Sequence, residues 1–249
     1  MSGRLESRVV VVTGGSSGIG RAVAERVVAE GGIAIIGARR EAAGRAVADE
    51  LGRQARFVAA DVTVEAQAAA LVDAATAEFG RLDGAFNNAG DVRSLGPLAQ
   101  TAGDDWHADL ESNLTSVFYC LKAQIPAMRA GGSIVNNASL AGVGGVPGMA
   151  AYTAAKHGVV GLTRAAALEC AAGGVRVNAL VTGNVDTPLY RRLAGAPRDR
   201  PRHDLPAPNP SGRVAATEEV AAFVAFLLSD EAAFITGAAL AIDGGFTAR

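Results

Sequence analysis

The stretch that most restricts the fold lies near the start of the chain. Residues 8–12, Arg-Val-Val-Val-Val, form a short β-branched run of the kind buried on both faces of a parallel sheet. The run passes directly into Thr13-Gly14-Gly15-Ser16-Ser17-Gly18-Ile19-Gly20, and a helical pattern continues to Glu30. Strand, glycine-rich turn and helix in that order make the first βα unit of an α/β sheet. Glycines let the backbone come close to a ligand. The helix start offers free N–H groups and the positive end of its dipole. The turn is therefore read as a phosphate cradle, with the spacing Gly-x-x-x-Gly-x-Gly instead of the commoner Gly-x-Gly-x-x-Gly.

A second strand over 33–37 ends in Ala38-Arg39-Arg40. A dinucleotide site places its ribose discriminator roughly 20 residues past the glycine loop. An acidic side chain there would bond the 2′-hydroxyl. Ala38 followed by two arginines suits a 2′-phosphate instead, because the guanidinium fork matches phosphate geometry. Ser16 adds a hydroxyl donor. NADP(H) is thus favoured, with NAD(H) as the alternative. A helix over 41–51 and a strand over 56–60 follow, closed by Asp61-Val62. The Asp61 carboxylate suits an adenine amino group, and equally the cap of the next helix, 64–79. A fourth strand begins at Gly84 and ends in Asn87-Asn88-Ala89-Gly90. Its two amides suit a bridge between neighbouring strands that lines a pocket, and the spacing also fits a turn.

Beyond it a helical pattern over 104–128 carries Asn113, and Pro126 kinks or ends it. A strand over 133–137 leads to Ala138-Ser139, then to an uncharged glycine-rich loop over 140–150. A helix over 152–168, a strand over 175–181, a helix over 218–228 and a strand over 239–242 complete the pattern. The rhythm argues for one α/β domain over 1–249, a doubly wound parallel sheet with helices on both faces. The one break in composition is 189–212, rich in Pro and Arg, which reads as a substrate loop or lid.

The 249 residues are 49% hydrophobic, enough for one large core. With 23 Lys+Arg against 25 Asp+Glu, nothing in the charge balance asks for nucleic acid or an anionic membrane. No apolar run is long enough to span a bilayer. Cys120 and Cys170 form no CxxC and read as buried structural thiols, which fits a reducing cytoplasm. No cluster has metal-ligand spacing, and His107, His157 and His203 read as packing or solvated positions.

The chemistry centres on Tyr152-Thr153-Ala154-Ala155-Lys156. Side chains at i and i+4 share a helix face. A nearby ammonium favours the phenolate, so the tyrosine pKa is expected to fall from its ordinary value of about 10. A phenol so tuned can exchange a proton with an alcohol or carbonyl.

These pieces, in this order, resemble the short-chain dehydrogenase/reductase family over nearly the whole chain. The matching segments are residues 13–20, Asn87-Asn88-Ala89-Gly90, Ser139, Tyr152-x-x-x-Lys156, Thr187, Thr236-Gly237 and Asp243-Gly244-Gly245. The resemblance implies a single Rossmann-type domain of about seven strands, a homotetramer, and a catalytic set of Asn113, Ser139, Tyr152 and Lys156. Tyr152 would give a proton to the carbonyl oxygen and Ser139 would place that oxygen. Lys156 would hold the nicotinamide ribose, and Asn113 would hold a water that links Lys156 to solvent. The cofactor residues are then Gly14, Ser16, Ser17, Gly18, Ile19, Gly20, Arg39, Arg40, Asp61, Val62, Asn88, Ala89, Gly90, Tyr152, Lys156, Gly183, Val185 and Thr187. Val185 and Thr187 would meet the carboxamide. Where the family commonly has Pro-Gly, this chain has Thr182-Gly183.

The expected partner is a small carbonyl or alcohol. Residues 140–149 with Val92 and Asn184 form a small apolar wall that suits an uncharged group. Reduction of 3-oxoacyl thioesters and oxidation of a sugar or polyol stay open. Arg93 and the arginines of 189–212 are candidate contacts for an anionic tail, or else simply a solvated surface. A non-catalytic nucleotide sensor on the same fold is the reading from another class. It would have lost Tyr152, Lys156 or Ser139, and this chain keeps all three.

Overall fold

The structure, a computed structural model, describes residues 3–248. Seven parallel strands form one sheet in the order β3-β2-β1-β4-β5-β6-β7. They are β1 Val9–Thr13, β2 Ile33–Ala38, β3 Ala55–Ala59, β4 Leu82–Asn87, β5 Met128–Asn137, β6 Arg176–Thr182 and β7 Ala239–Ile242. The helices are α1 Gly18–Ala29, α2 Glu41–Leu51, α3 Glu65–Phe79, α4 Gly103–Leu110, α5 Ser116–Ala127, α6 Ala150–Cys170, α7 Pro188–Leu193 and α8 Thr217–Leu228. This is the expected doubly wound Rossmann-type sheet.

The strand alternation explains why both faces are covered. Val9 and Val11 point into one core cluster with residues of α3, α5 and α6. Val10 and Val12 point into the other, with residues of α1, α2 and α8. Side chains of a strand alternate with period two, so an unbroken valine run must be buried on both sides. The strand order reverses beside β1, which pairs with β2 on one edge and β4 on the other. In open α/β sheets the ligand crevice lies outside the carboxyl ends of the strands at such a switch point. Among the described residues no helix is long and apolar enough to cross a membrane.

Three elements depart from the sequence expectation. The helix expected over 104–128 is interrupted by a π turn, Glu111–Thr115, between α4 and α5. It ends at Ala127, one residue past Pro126. β5 starts at Met128, five residues before 133, because Met128 pairs with Leu82 across an irregularity in register. Residues 189–212 are not wholly irregular. α7 runs into them from Pro188, with the Thr187 hydroxyl capping it and Pro188 in its first turn.

Candidate active site

The glycine turn has the backbone it needs. Gly14 and Gly18 sit at φ 66 and 55°, where a side chain would be strained. A Cβ on Gly20 would lie 2.5 Å from the Gly14 carbonyl oxygen and 2.7 Å from Asn88 Nδ2. The turn is locked to the end of β4. The Thr13 hydroxyl accepts the N–H groups of Asn88 and Ala89, and Asn88 Nδ2 donates to the Thr13 carbonyl at 3.1 Å.

Next to it lies a cleft of about 300 Å³. Gly14, Ser16, Ser17, Gly18 and Ile19 line one end of it. Arg39, Arg40, Asp61 and Val62 line its rim, and Asn88, Ala89 and Gly90 its floor. Arg40 donates to Ser17 Oγ at 2.8 Å and to Ser16 Oγ at 3.3 Å, so a guanidinium and two hydroxyls converge. Arg39 pairs with Asp61 at 3.8 Å. The Asp61 carboxylate also accepts the N–H and hydroxyl of Thr63, which closes the turn after β3. Asn113, Tyr152, Lys156 and Thr187 complete the same cleft. Gly183 and Val185 line the adjoining pocket instead.

That second pocket, about 670 Å³, is walled by Leu140, Val146, Met149, Val92 and Asn184, all within the expected wall. Leu189, Tyr190 and Leu193 of α7 and the 206–208 segment form its other side. The two spaces share a border that includes Tyr152 together with Ile19, Asn137, Ala138, Thr187 and Leu189, while Lys156 lines only the first and Ser139 only the second.

The electrostatics correct one expectation. Lys156 Nζ stands 5.4 Å from the Tyr152 ring centre and donates to the Asn137 carbonyl at 2.8 Å. Burial dominates both groups. It pushes the Tyr152 phenol up to about 12, against a hydrogen bond from Ser139 that pulls it down. It drives the Lys156 ammonium down to about 8. The protein group that acidifies the phenol is therefore Ser139, and the Asp109 charge opposes it. Asp109 is fully buried on α4, where its carboxylate accepts the N–H groups of Arg93 and Ser94. No signal in the sequence marks it out from a surface aspartate.

Asn113 is wholly buried in the π turn, not solvated. Its Nδ2 donates to the carbonyls of Asp91 and Asp109, while its Oδ1 is buried without a partner among the described residues. A Cβ built on Gly90 would lie 2.5 Å from that oxygen and 3.7 Å from Lys156 Nζ, so both groups face the space beside Gly90.

A chain of hydrogen bonds crosses four strand ends. Thr182 donates to Asn137 Oδ1 at 2.6 Å, Asn137 Nδ2 to Asn88 Oδ1 at 3.0 Å, and Asn88 to Thr13. Thr182 thus holds its neighbour through a hydroxyl, and the Gly183 N–H is tied to the Ile242 carbonyl. The strand-bridging role read for the paired amides holds for Asn87 too, which exchanges hydrogen bonds with Gln124 and reaches Asn136. The loop arginines are engaged: Arg191 grips Asp186 at 2.6 and 2.8 Å, and Arg192 holds Asp91 and the Val92 carbonyl. Arg93 lies 3.6 Å from Asp91. Cys120 and Cys170 are buried free thiols, and burial pushes Cys120 up to about 12. Among the described residues no group of His, Cys, Asp and Glu is placed to hold a metal ion.

A glycine cradle at a sheet switch point, joined to a second pocket through a tyrosine, is the layout of a dinucleotide-dependent oxidoreductase. A family model described as enoyl-(acyl carrier protein) reductase matches residues 14–247. The chain is 44% identical over 247 residues to 2,5-dichloro-2,5-cyclohexadiene-1,4-diol dehydrogenase of Sphingobium indicum, covering 98% of each chain. It is 46% identical to cis-4-hydroxycyclohexanecarboxylate dehydrogenase of Sinomonas cyclohexanicum, covering 97% of each. The crystal structure of levodione reductase superposes with a TM-score of 0.89 at 38% identity, covering 98% of each chain. The protein belongs to the short-chain dehydrogenase/reductase family, and is an NAD(P)-dependent enzyme acting on CH–OH and C=O groups.

Proposed function

We propose that this enzyme interconverts a ring-borne secondary alcohol and its ketone with NADP(H), Tyr152 being the general acid and base. The observation that carries the reading is the meeting of the two spaces at Tyr152, with Lys156 on the cleft side and Ser139 on the pocket side. The relatives named above support the ring, since two of them are called dehydrogenases of cyclohexane or cyclohexadiene alcohols.

The residues of the first cleft fit a dinucleotide. The glycine turn lines the cleft at the start of α1, which suits a pyrophosphate. Arg40 with Ser16 and Ser17, and Arg39 behind, suit the 2′-phosphate. Asp61 and Val62 suit the adenine, Lys156 the nicotinamide ribose, and Gly183, Val185 and Thr187 the carboxamide end. When bound, the nicotinamide gives a hydride to the carbonyl carbon in reduction and takes it back in oxidation.

The chain's own groups handle the proton. Ser139 donates a hydrogen bond that places the carbonyl oxygen and stabilises the charge growing on it. Tyr152 delivers the proton to that oxygen, and the oxidised cofactor and the alcohol are formed. The partnerless Asn113 Oδ1 accepts from a water that reaches Lys156, through which Tyr152 is reprotonated. The aliphatic wall excludes bulk water. Arg191 and Arg192, two of the cations expected to recruit a carrier-bound thioester, are engaged with Asp186 and Asp91 instead. The resemblance further implies a homotetramer, and the buried free thiols fit a reducing cytoplasm.

The test is cofactor consumption, NADPH against NADH, over ring ketones, 3-oxoacyl thioesters and sugars. Ring ketones with NADPH should turn over fastest. A clear preference for thioesters or for NADH would overturn the corresponding half of the reading.

A further inference from the structure

The polar groups of the 670 Å³ pocket divide unequally. Ser139 and Tyr152 form the reaction centre. Thr182 and Asn137 are spent on each other and on Asn88. The Thr187 hydroxyl accepts the Tyr190 N–H, and the Tyr190 hydroxyl donates to the Pro206 carbonyl. Among the described residues, half-buried Asn184 alone lines the pocket with a polar side chain that has no protein partner. Its backbone, by contrast, is fixed. The Asn184 carbonyl accepts the Ala215 N–H at 3.0 Å, and Val185 bridges to Ala215. An anchored backbone holding a free amide against an aliphatic wall is the arrangement of a recognition group.

We propose that Asn184 is a second polar contact for substrate, and that the preferred substrate is a neutral ring compound carrying a second oxygen away from the reacting carbon. Diols, hydroxyketones and diones make up this class. The inference rests on the proposed function for its ring and its reaction, and adds the second contact. An amide can both donate and accept, so it matches a hydroxyl and a carbonyl equally. It therefore serves a partner oxygen in either oxidation state. A substrate without that oxygen would cover the amide with hydrocarbon and leave it unsatisfied, which the pocket disfavours.

Charge narrows the class further. None of the described residues lining this pocket is Asp, Glu, Lys, Arg or His. A carboxylate at the far end of the ring would be desolvated with no cation to meet it, which is costly. Neutral oxygens are thus selected over an acid group.

The test compares three ketones with reduced cofactor: cyclohexanone, cyclohexane-1,4-dione and 4-oxocyclohexanecarboxylate. In the parent enzyme, kcat/KM should favour the dione over cyclohexanone by about tenfold, the worth of one good neutral hydrogen bond. The dione should also exceed the carboxylate by at least about tenfold. In Asn184→Leu the dione-to-cyclohexanone ratio should collapse toward about one. Asn184→Ala, which adds no bulk, should show the same collapse if the leucine variant does not fold. An unchanged ratio in both variants would overturn the Asn184 assignment. A parent enzyme faster on the carboxylate than on the dione would overturn the claim of neutrality. NADPH fluorescence titration separates the two levels of inference. Nucleotide binding without turnover of any ketone would sink the proposed function. Equal turnover of cyclohexanone and the dione would sink only the second contact.

Discussion

The phenol proposed to carry the proton, Tyr152, sits between the opposed effects of burial and one hydroxyl. Burial pushes the phenol up to about 12 and the Ser139 bond draws it down. Alcohol oxidation needs the phenolate, so its rate should climb with pH through the alkaline range. Ketone reduction needs the protonated phenol and should fall over that range. Ser139→Ala removes the bond that favours the phenolate, so the rising limb for oxidation should move to higher pH; a limb that stays put would show that Ser139 does not tune the phenol. Tyr152→Phe should lose about 10²- to 10⁴-fold in turnover with NADPH binding retained, as measured by stopped assay and fluorescence titration. Thr182 supports the same site indirectly, since it holds the amide of the residue whose carbonyl holds Lys156. Thr182→Val keeps the shape but orphans Asn137 Oδ1, a cost of about 1–3 kcal/mol. Its melting temperature should drop while Thr182→Ser stays near the parent; equal melting of all three would remove the bond from the account.

Among the elements, α8 shows how a helix start is held when its cap residue has no side-chain acceptor. Ala216 occupies the cap, so Glu219 accepts the Ala216 N–H at 2.8 Å and pairs with Arg213 at 2.7 Å. The Arg213 bond, then the backbone bond, hold the Glu219 carboxyl down to about 2 from an ordinary 4.5. A carboxyl lowered on folding contributes stability that is complete above pH 4.5 and is lost as pH falls toward 2. Glu219→Gln should therefore melt below the parent at pH 7, and the gap should narrow on acidification; a gap that widens would contradict the sign. The elements also show what could be read from residue order alone. The glycine turn and the Tyr152–Lys156 pair were legible because their chemistry is local: a φ preference and one helical turn. The π turn that carries the buried Asn113 was not, because a single extra residue shifts the helix phase without altering composition. The Thr182–Asn137–Asn88 chain was hidden for another reason. Its members lie 45 and 49 positions apart, and only the parallel register of β4, β5 and β6 brings them together. The first strand residues of β5 were missed because Gly131-Gly132 carries the composition of a turn.

For the molecule as a whole, the sheet and the 189–212 segment divide the work. The cleft of the glycine turn is built mainly from strand ends and the starts of α1 and α6, with the π turn and Pro188 and Leu189 of α7, whereas the far wall of the apolar pocket comes from α7 and the 206–208 segment. That segment is fastened at both ends. Arg191 grips Asp186 and the carbonyls of Pro197, Arg198 and Arg200, and Leu205 and Asn209 are buried. The side chains of Arg198, Arg200 and Arg202 lie exposed although Arg191 holds the carbonyls of the first two, and Arg200 is followed by Pro201. Trypsin does not cleave before proline, so its first cut should fall after Arg198 or Arg202. Exposed loop tips are the preferred sites of nicking, and all seven strands lie outside this one. The nicked enzyme should keep its NADPH affinity, because the residues that line the cleft are untouched. Its KM for a ring ketone should rise severalfold, because the pocket wall is no longer held in one piece. Mass spectrometry locates the cut, and nucleotide titration and steady-state kinetics read the two sites separately. Loss of NADPH binding in step with ketone binding would mean that the segment holds the whole crevice together, not its outer wall alone.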